Sequence, residues 1–483
     1  MDVASQHRGM MWRFTHPSMG GAVGLVLVIV GGAAIGLRSL SDNSFMTHLA
    51  TGRIILTSGS VPVSDPYTFT AAGEPWVVQS WLASLLYASV ERTGGLGGVR
   101  LLMGLVAAVL TGLVWHLLRP AGGLLARLLV GALMVMVGAG MWTERPFMLG
   151  LIAFGLVVLA AEGRLNPMWL APLGWLWVNT HGSFPLGVVY LLAAAVGTRL
   201  DGEAPAVELR CLRWLVPGLL LGAVGPLGPG VLLFPLTLLS RQDLLSNVIE
   251  WQAPRFVSLH ERAFLFQVVL AIVLLVRRPR YRSALITAVF TVAALVALRN
   301  VALASIALAP SMALGLAGLG GINSEDRTLA ARLISLGGVA LAAMLVLVRL
   351  GQPTMNFDRM PVDALAYLER NEIDLSEHRM ATPDIVGNFL EFVYGPGRRV
   401  FYDDRYDMFP FEVSEAALSF IEVRADVFSQ LERYDIELAA IPRSSPLALV
   451  VTADARWRIL FQDDKWLLVC RRGVSLAGSV DTC

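Results

Sequence analysis

Apolar runs of about twenty residues recur along the first 350 residues of the chain, and they limit its possible folds more than any other feature. The chain is 55% hydrophobic and 16% charged, with a mean hydropathy of +0.63. A soluble domain carries about 25% charged residues, and a membrane-spanning helix needs roughly 17–25 apolar residues. The pattern therefore predicts an all-α polytopic membrane bundle.

Hydropathy predicts about eleven transmembrane spans. They cover approximately residues 20–38, 99–117, 124–142, 147–162, 167–179, 183–198, 212–237, 263–276, 283–298, 301–320 and 331–350. The sequence GPLGPG at residues 225–230 interrupts one of these runs. The first run is too long for a signal peptide and has no cleavage site behind it, so we predict an uncleaved first helix.

Arginine is concentrated in every second predicted loop. The residues concerned are Arg8, Arg13, Arg119, Arg127, Arg164, Arg199, Arg210, Arg213, the segment 277–282 and the segment 324–332. Because cytoplasmic loops carry the excess of arginine and lysine, this distribution places the N-terminus in the cytoplasm. An odd number of spans then places residues 351–483 outside. We predict a multi-pass plasma-membrane protein with an extracytoplasmic C-terminal domain.

Residues 351–483 contain more charge and no apolar run long enough to span a membrane. The sequence PVDALAYLERNEID has apolar residues at helical spacing, whereas RRVFYDD and KWLLVC are typical of short strands. These features predict a small α/β or α+β domain that follows a membrane domain at residues 1–350. Cys211, Cys470 and Cys483 form neither a metal-binding spacing nor a disulfide framework.

The loop between the first two predicted spans, residues 39–98, is long for a plain connection, and loops of this length are usually functional. The sequence FMTHLATGRIILTSG has helical spacing and ends at Gly59, which suits a helix C-cap. The sequence WVVQSWLASLLYASV repeats the pattern, with Trp76 and Trp81 as interfacial anchors. We predict two surface helices in this loop; a solvated connection is the alternative.

Several motifs of the chain resemble a known family. The sequence HLATGRIILTSGSVPVSDPYTFTAAGEPWVVQSWL follows Asp42, and ERPFMLG, LWVNTHGSFPLG, GPLGPG, IEWQAPRF, ALRNVALASIALAP and VFYDDRYDMF occur further on. Together they resemble an uncharacterised family of bacterial multi-span membrane proteins. That family is similar to the GT-C glycosyltransferases, such as the oligosaccharyltransferase catalytic subunit and protein O-mannosyltransferases. The resemblance to GT-C enzymes covers the topology and the first outer loop.

The resemblance implies that an acidic residue of the first outer loop acts as catalytic base or metal ligand, and Asp42 has that position. A carboxylate there would take the proton of an acceptor hydroxyl that attacks a polyprenyl-phosphate sugar. Many such enzymes have an acidic pair, but Asn43 follows Asp42, so Asp65 is the candidate partner in this loop. A divalent cation remains open, and no metal ligands are assigned.

Other candidate substrate-binding residues lie in loops of the predicted outer face. They are His48, Arg53, Glu144, Arg145, Asn179, His181, Glu250, Arg299, Asn300, Asp404 and Arg405. Arg145 and Arg299 are candidates for contacting a lipid-linked phosphate, because a leaving phosphate needs a fixed cation. The alternatives are a structural salt bridge for Glu144 and Arg145, a hydrogen-bonded interfacial role for His181, and a solvated turn around Asp404.

The function hypothesis is an inverting membrane glycosyltransferase. It would transfer sugar from a polyprenyl-phosphate donor to an envelope glycan, glycolipid or protein. The chain has no glycine-rich phosphate loop, so a nucleotide-sugar site is unsupported, and a net charge of +1 argues against nucleic acid. A transporter or flippase of a lipid-linked precursor is one alternative. A non-catalytic assembly partner is the other, and Asn43 is the best argument for it.

Overall fold

The computed structural model describes residues 19–246, 248–318, 329–397, 399–476 and 483. Arg8, Arg13 and most of the predicted arginine-bearing segment 324–332 lie outside these residues. The α-helices in the described residues are α1 (Met19–Gly36), α2 (Asn43–Ser58), α3 (Trp81–Leu117), α4 (Leu124–Ala139), α5 (Phe147–Ala161), α6 (Leu170–Thr180), α7 (Pro185–Leu200), α8 (Ala206–Leu221), α9 (Gly230–Leu239), α10 (Gln242–Leu245), α11 (Leu259–Arg277), α12 (Tyr281–Val296), α13 (Val301–Leu316), α14 (Leu329–Leu350), α15 (Val362–Arg370), α16 (Asp384–Tyr394), α17 (Phe411–Glu422), α18 (Val427–Arg433) and α19 (Pro446–Ala453). The strands are β1 (Met380–Ala381), β2 (Leu438–Pro442), β3 (Trp457–Gln462) and β4 (Trp466–Arg471).

The apolar runs are helical, as predicted, but a count of eleven spans is not confirmed. Among the described residues, three helices are long and apolar enough to cross a membrane: Trp81–Leu117, Leu259–Arg277 and Leu298–Leu316. The predicted single span at 212–237 is wrong, since α8 and α9 are separate helices. The GPLGPG sequence separates them, because Gly228 adopts a left-handed φ of 59° and Pro229 follows it.

One compact unit consists of residues Met1–Leu40, Gly94–Gly222 and Ser246–Thr354. Within it α1 packs on α14, α6 packs on α8, and α12 packs on both α7 and α13. Small residues permit this close packing. A Cβ atom on Gly218 would lie 2.2 Å from the Ala171 carbonyl oxygen, and one on Gly197 would lie 2.3 Å from the Arg282 Cα.

A buried ion network joins three elements of this first unit. The Arg282 guanidinium donates from Nη1 to Glu162 at 2.7 Å and from Nε to Glu208 at 3.1 Å. The same unit also contains a group of three buried aromatic rings. Their centroids lie 5.4–5.8 Å apart, and they belong to Tyr190, Phe154 and Phe290. The Arg282 cation is thus paired with carboxylates, as a largely buried cation requires.

The second unit consists of Ser41–Thr93, Ala223–Leu245 and Met355–Cys483. Its four-stranded sheet has the order β1-β2-β4-β3, with β1 parallel to β2 and the other pairs antiparallel. The unit also contains α2, which packs against α16. The predicted helix α2 is confirmed: Gly59 has a φ of 70° and its amide donates to the Ile55 carbonyl at 2.9 Å.

The C-terminal secondary-structure predictions have mixed outcomes. α15 and the strand at KWLLVC are confirmed. The predicted strand at RRVFYDD is wrong, because Val400 forms only an isolated bridge with Thr68. The chain then turns, since the carboxylate of Asp403 accepts from the backbone amide and the guanidinium of Arg405.

Cys470 on β4 and Cys483 form a disulfide with an S–S distance of 2.11 Å, and Cys211 is free and buried. The expectation that these cysteines form no disulfide is therefore wrong. A separation of 13 residues matches no familiar framework, and only the fold brings the two sulfur atoms together. A disulfide of this kind is typical of an oxidising compartment.

Candidate functional site

Two arginines and one glutamate meet in the first unit. The Arg145 Nη1 donates to the Glu250 Oε2 at 2.7 Å, and both side chains remain more than a quarter exposed, at 29% and 27%. The Arg299 guanidinium lies 4.2 Å from the centroid of the Trp251 ring. Arg299 also interacts electrostatically with Glu250 and Arg145. Glu250 therefore pairs with Arg145 and also attracts Arg299.

Short 3₁₀ turns position this cluster. Glu250 and Trp251 lie on the turn Ile249–Trp251, and Arg299 lies on the turn Leu298–Asn300. The backbone amide of Leu298 donates to the Gln252 carbonyl at 2.9 Å, which joins the two turns. Arg145 directly precedes Pro146, the N-cap of α5. These contacts fix the directions of side chains that lie more than one hundred residues apart in sequence.

Glu144 and Asn300 are close to this cluster in sequence. Glu144 is buried at the start of the segment that leads into α5. The Asn300 amide donates to the Ala293 carbonyl at 2.9 Å, so it closes the end of α12. That contact indicates a structural role for Asn300, and its substrate-binding role stays a prediction.

His181 and Asn179 lie at the end of α6 and make different contacts. The backbone amide of Ser183 donates to His181 Nδ1 at 3.1 Å, so a neutral ring carries its proton on Nε2. The ring stacks near Phe147, with centroids 5.3 Å apart. Asn179 is buried and donates to the Trp175 carbonyl at 2.9 Å. His181 is thus the better candidate for a ligand contact.

A second group of polar residues surrounds the N-terminus of α2 in the second unit. Asp42 is half-buried at the N-cap, with φ of −76° and ψ of 130°. The next residue, Asn43, donates to Asp404 at 3.2 Å, and Ser44 also donates to Asp404. Asn388 donates to the other Asp404 oxygen at 2.7 Å. The fold therefore brings a second carboxylate to the helix end where Asp42 lies.

Asp65 and Arg405 belong to a buried ion cluster in the second unit. The Arg405 Nη2 lies 2.8 Å from Asp65, 2.6 Å from Asp403 and 3.3 Å from Glu391. The guanidinium also stacks 4.4 Å from the Trp76 ring centroid. These contacts enclose Arg405 between acidic and aromatic groups, and its substrate-binding role stays a prediction.

Asp65 also organises its own turn. Its carboxylate accepts from the backbone amides of Tyr67 at 3.2 Å and Thr68 at 2.9 Å, and it is 4% exposed. A carboxylate that is buried, hydrogen-bonded and paired with a cation is poorly placed to take a proton from a substrate. Asp404 is therefore a better partner for Asp42 than Asp65.

Glu391 shares this ion cluster with two other acids. Burial raises the pKa of Glu391 well above its usual value, and the neighbouring charge of Asp403 acts in the same direction. Thr47 donates to its second oxygen. With one guanidinium facing three acidic groups, a protonated Glu391 lowers the charge imbalance.

His48 and Arg53 lie along α2 and join it to its neighbours. The His48 Nδ1 is 3.1 Å from the Ser84 hydroxyl. Arg53 donates from Nε to Glu91 at 2.9 Å and from Nη1 to the Phe392 carbonyl at 2.8 Å. Arg53 thus stabilises the contact of α2 with α3 and α16.

No group of three or more histidine, cysteine, aspartate or glutamate side chains suited to a metal occurs among the described residues. Asp42 and Asp404 are two carboxylates, whereas Ca²⁺ takes 6–8 oxygen ligands and Mg²⁺ requires octahedral coordination. The described residues therefore do not form a complete protein-derived metal site.

Sequence reasoning missed Asn388 and Glu391. Both lie on α16, where DIVGNFLEFVY is otherwise mostly apolar, and both are buried. Two polar side chains three residues apart on the buried side of a helix are a detectable signal, since such groups need partners. That signal indicates a polar contact but does not identify its partners.

No family model matches the chain, and no curated protein matches its sequence. Its structure is similar to that of the archaeal oligosaccharyltransferase AglB from Archaeoglobus fulgidus in complex with an inhibitory peptide and a dolichol-phosphate. That comparison has 13% identity and a TM-score of 0.53, and it covers 86% of this chain and 69% of AglB. The apo form of the Archaeoglobus fulgidus enzyme gives a TM-score of 0.51 at the same identity and coverage.

A third structure, ArnT from Cupriavidus metallidurans bound to undecaprenyl phosphate, is 14% identical, and the comparison covers 93% of this chain and 97% of ArnT. Its TM-score of 0.39 is too low to establish a common fold. The similarity to AglB confirms the predicted resemblance to GT-C glycosyltransferases at the level of the fold. The chain thus shares a fold with AglB.

Proposed function

We propose that this chain is a membrane glycosyltransferase that takes sugar from a polyprenyl-phosphate carrier and transfers it to an acceptor of the cell envelope. The observation that carries the proposal is the pairing of Arg145 and Arg299 around Glu250 on a GT-C fold. AglB, which shares that fold, binds a dolichol-phosphate. A phosphate carried by a lipid needs no nucleotide-binding domain, and the sequence has no glycine-rich phosphate loop.

The two arginines would bind the negatively charged phosphate of the lipid carrier. Fixed guanidinium groups stabilise such charge without reorganising, and Glu250 and Trp251 hold the two groups in place before the carrier arrives. His181 Nε2 is a further donor in the same unit.

Asp42 would remove the proton of the acceptor hydroxyl. The acceptor oxygen forms a bond to the anomeric carbon with inversion, the carrier phosphate leaves with the electron pair, and the proton passes to Asp42. The N-terminus of α2 stabilises negative charge at this position. Asp404, held by Asn43, Ser44 and Asn388, would orient the acceptor beside the base.

A strain that lacks the gene tests the function through its envelope. We expect mass spectrometry to show the loss of one glycan or glycolipid. Expression of the wild type should restore it, whereas Arg145→Gln/Arg299→Gln should slow its return by at least about 100-fold.

Arg255→Gln is the matched control, because Arg255 is exposed in the same loop and donates to Gln252. It should restore the glycan at the wild-type rate. An unchanged envelope profile in the deletion strain would count against the glycosyltransferase function. Full restoration of the glycan by the double variant would show that Arg145 and Arg299 do not contribute to transfer.

The outer-face location of the C-terminal domain is part of the proposal, and the Cys470–Cys483 disulfide supports it. In denatured, unreduced protein we expect a maleimide-polyethylene glycol reagent to modify Cys211 alone. After reduction it should modify all 3 cysteines.

The Cys483→Ser variant is the control for this labelling. It frees Cys470, so two adducts are expected without reduction, one on Cys211 and one on Cys470. If unreduced wild-type protein from growing cells already gave three adducts, the cysteines would be reduced in the cell. The assignment of the domain to the outside would then lose its support.

A non-catalytic assembly partner is the second candidate function. It is favoured by Asn43 beside Asp42, because many enzymes of the resembling class have an acidic pair at this position. Such a protein would bind the lipid carrier through Arg145 and Arg299 without transferring its sugar. The Asp42 variant described in the Discussion separates the two functions.

A further inference from the structure

A cluster of three arginines lies around the C-terminal end of α3. Arg119 belongs to the turn after α3, Arg127 to the first turns of α4, and Arg164 to the segment after α5. They come from the loops that the arginine distribution assigns to the cytoplasm. None of them has a part in the proposed transfer reaction.

Two of the guanidinium groups are held by the end of α3. The Arg127 guanidinium lies 3.7 Å from the Trp115 ring centroid, and its Nη2 donates to the Trp115 carbonyl at 2.8 Å. The Arg164 Nη1 donates to the His116 carbonyl at 2.9 Å. Because the last carbonyl groups of a helix carry partial negative charge, they favour cations. The fold thus fixes both arginines in place.

Like charges lie close together in this cluster. Arg119 and Arg164 both repel Arg127, and Arg119 repels Arg164. Glu162 attracts Arg164, but its carboxylate also accepts from Arg282 at 2.7 Å, so its charge is shared. The Nε atom of Arg127 is buried and makes no hydrogen bond to any described residue. Charges of one sign that are held this close favour a bound anion.

The position of the cluster indicates where the anion comes from. α3 is one of the helices long and apolar enough to cross a membrane, and Trp115 and His116 lie in its last turn. On the neighbouring helix, Leu125 and Leu129 are exposed at 45% and 63%. A helix end of this kind lies at the level of the lipid headgroups, where basic pockets bind anionic lipids.

We propose that Arg119, Arg127 and Arg164 bind the phosphate of an anionic phospholipid headgroup, at a site separate from the transfer site. The lipid phosphate accepts hydrogen bonds from the guanidinium groups, and its acyl chains lie along the apolar helices. The site does not depend on the proposed glycosyltransferase activity. It would anchor the ends of α3, α4 and α5 to the membrane surface.

Native mass spectrometry of the purified full chain in detergent tests this site. The probes are dioleoylphosphatidylglycerol, dioleoylphosphatidylcholine as the zwitterionic lipid, and inorganic phosphate. We expect saturable binding of the anionic lipid and about 30-fold weaker binding by Arg127→Gln/Arg164→Gln, because each cation contributes about 1 kcal/mol. The exposed pair Arg210→Gln/Arg213→Gln is the matched control and should bind like the wild type.

Arg119→Gln tests the site at its exposed arginine. It should weaken lipid binding by about fivefold with unchanged thermal unfolding. Equal binding of the anionic lipid by the wild type, Arg119→Gln and the double variant would overturn the site. Equal binding of the two lipids would overturn its selectivity for charge. If inorganic phosphate bound as tightly as the lipid, the source would be free phosphate and the lipid assignment would fail.

Discussion

Asp42→Asn is expected to reduce sugar transfer by about 100-fold to 10,000-fold, the range that a general base contributes. Asparagine has the same shape and is an equally good N-cap, so α2 should keep its start. What the variant removes is the ability to accept a proton. The measurement is the rate at which the glycan missing from the deletion strain returns after expression of the variant is induced.

Asp363→Asn is the matched control for this variant. Asp363 is an exposed aspartate in the first turn of α15, in the same unit, and its replacement should leave the rate unchanged. Equal membrane levels of the two variants must be verified by immunoblotting. If Asp42→Asn restored the glycan at the wild-type rate, the residue would not be the base, and the non-catalytic assembly partner would be favoured.

Asp404→Asn and Asp65→Asn compare the two candidate partners of Asp42. Asp404 is only half-buried and lies beside Asn43, so its loss should slow transfer while the protein stays folded. Asp65 is buried against Arg405, so its loss should lower the thermal stability of the second unit. The assignment of Asp404 as the partner of Asp42 would be reversed by two results together: Asp65→Asn slows transfer without lowering thermal stability, and Asp404→Asn transfers sugar at the wild-type rate.

The helices of this protein could be predicted well because apolar runs and cap residues are local signals. Gly59 shows this, since a glycine that ends a periodic segment specifies a left-handed C-cap. Their arrangement in the membrane could not be predicted to the same degree. At 212–237 the hydropathy continues through a break that Gly228 and Pro229 introduce, so an average over residues conceals two helices.

Some members of the two candidate groups could be selected from the sequence, and their roles stay predictions. Arg145, Glu250 and Arg299 could be selected because charge at the end of an apolar helix is costly without a partner, but their mutual contact depends on packing. Asp404 was selected, yet its position beside Asn43 depends on Asn388 in a distant helix. Sequence spacing contains no information on such pairs, and this explains why Asp65 was preferred as the acidic partner.

Arg405→Met is expected to destabilise the second unit by about 3–5 kcal/mol, the cost of removing one partner of a buried ion pair. Methionine fills much of the space but leaves Asp65 and Asp403 without their cation. The measurement is the free energy of unfolding of that unit by denaturant, followed through limited proteolysis. Arg456→Met is the control, since Arg456 is half-exposed where it pairs with Glu432, and its loss should cost far less stability than the loss of Arg405.

Glu391→Gln changes the charge of the ion cluster around Arg405 and keeps the shape of the side chain. Burial and Asp403 raise the pKa of Glu391, so the folded protein binds a proton that the unfolded chain releases above about pH 4.5. This contribution to stability is complete below that pH, and it declines as the pH rises towards the raised pKa. Glutamine is a neutral analogue of the protonated acid, so the variant should match the wild type below about pH 4.5, should lose this dependence on pH, and should be the more stable of the two near neutral pH. A loss comparable to that of Arg405→Met would mean that Glu391 is ionised in the folded protein, with its charge bound to Arg405.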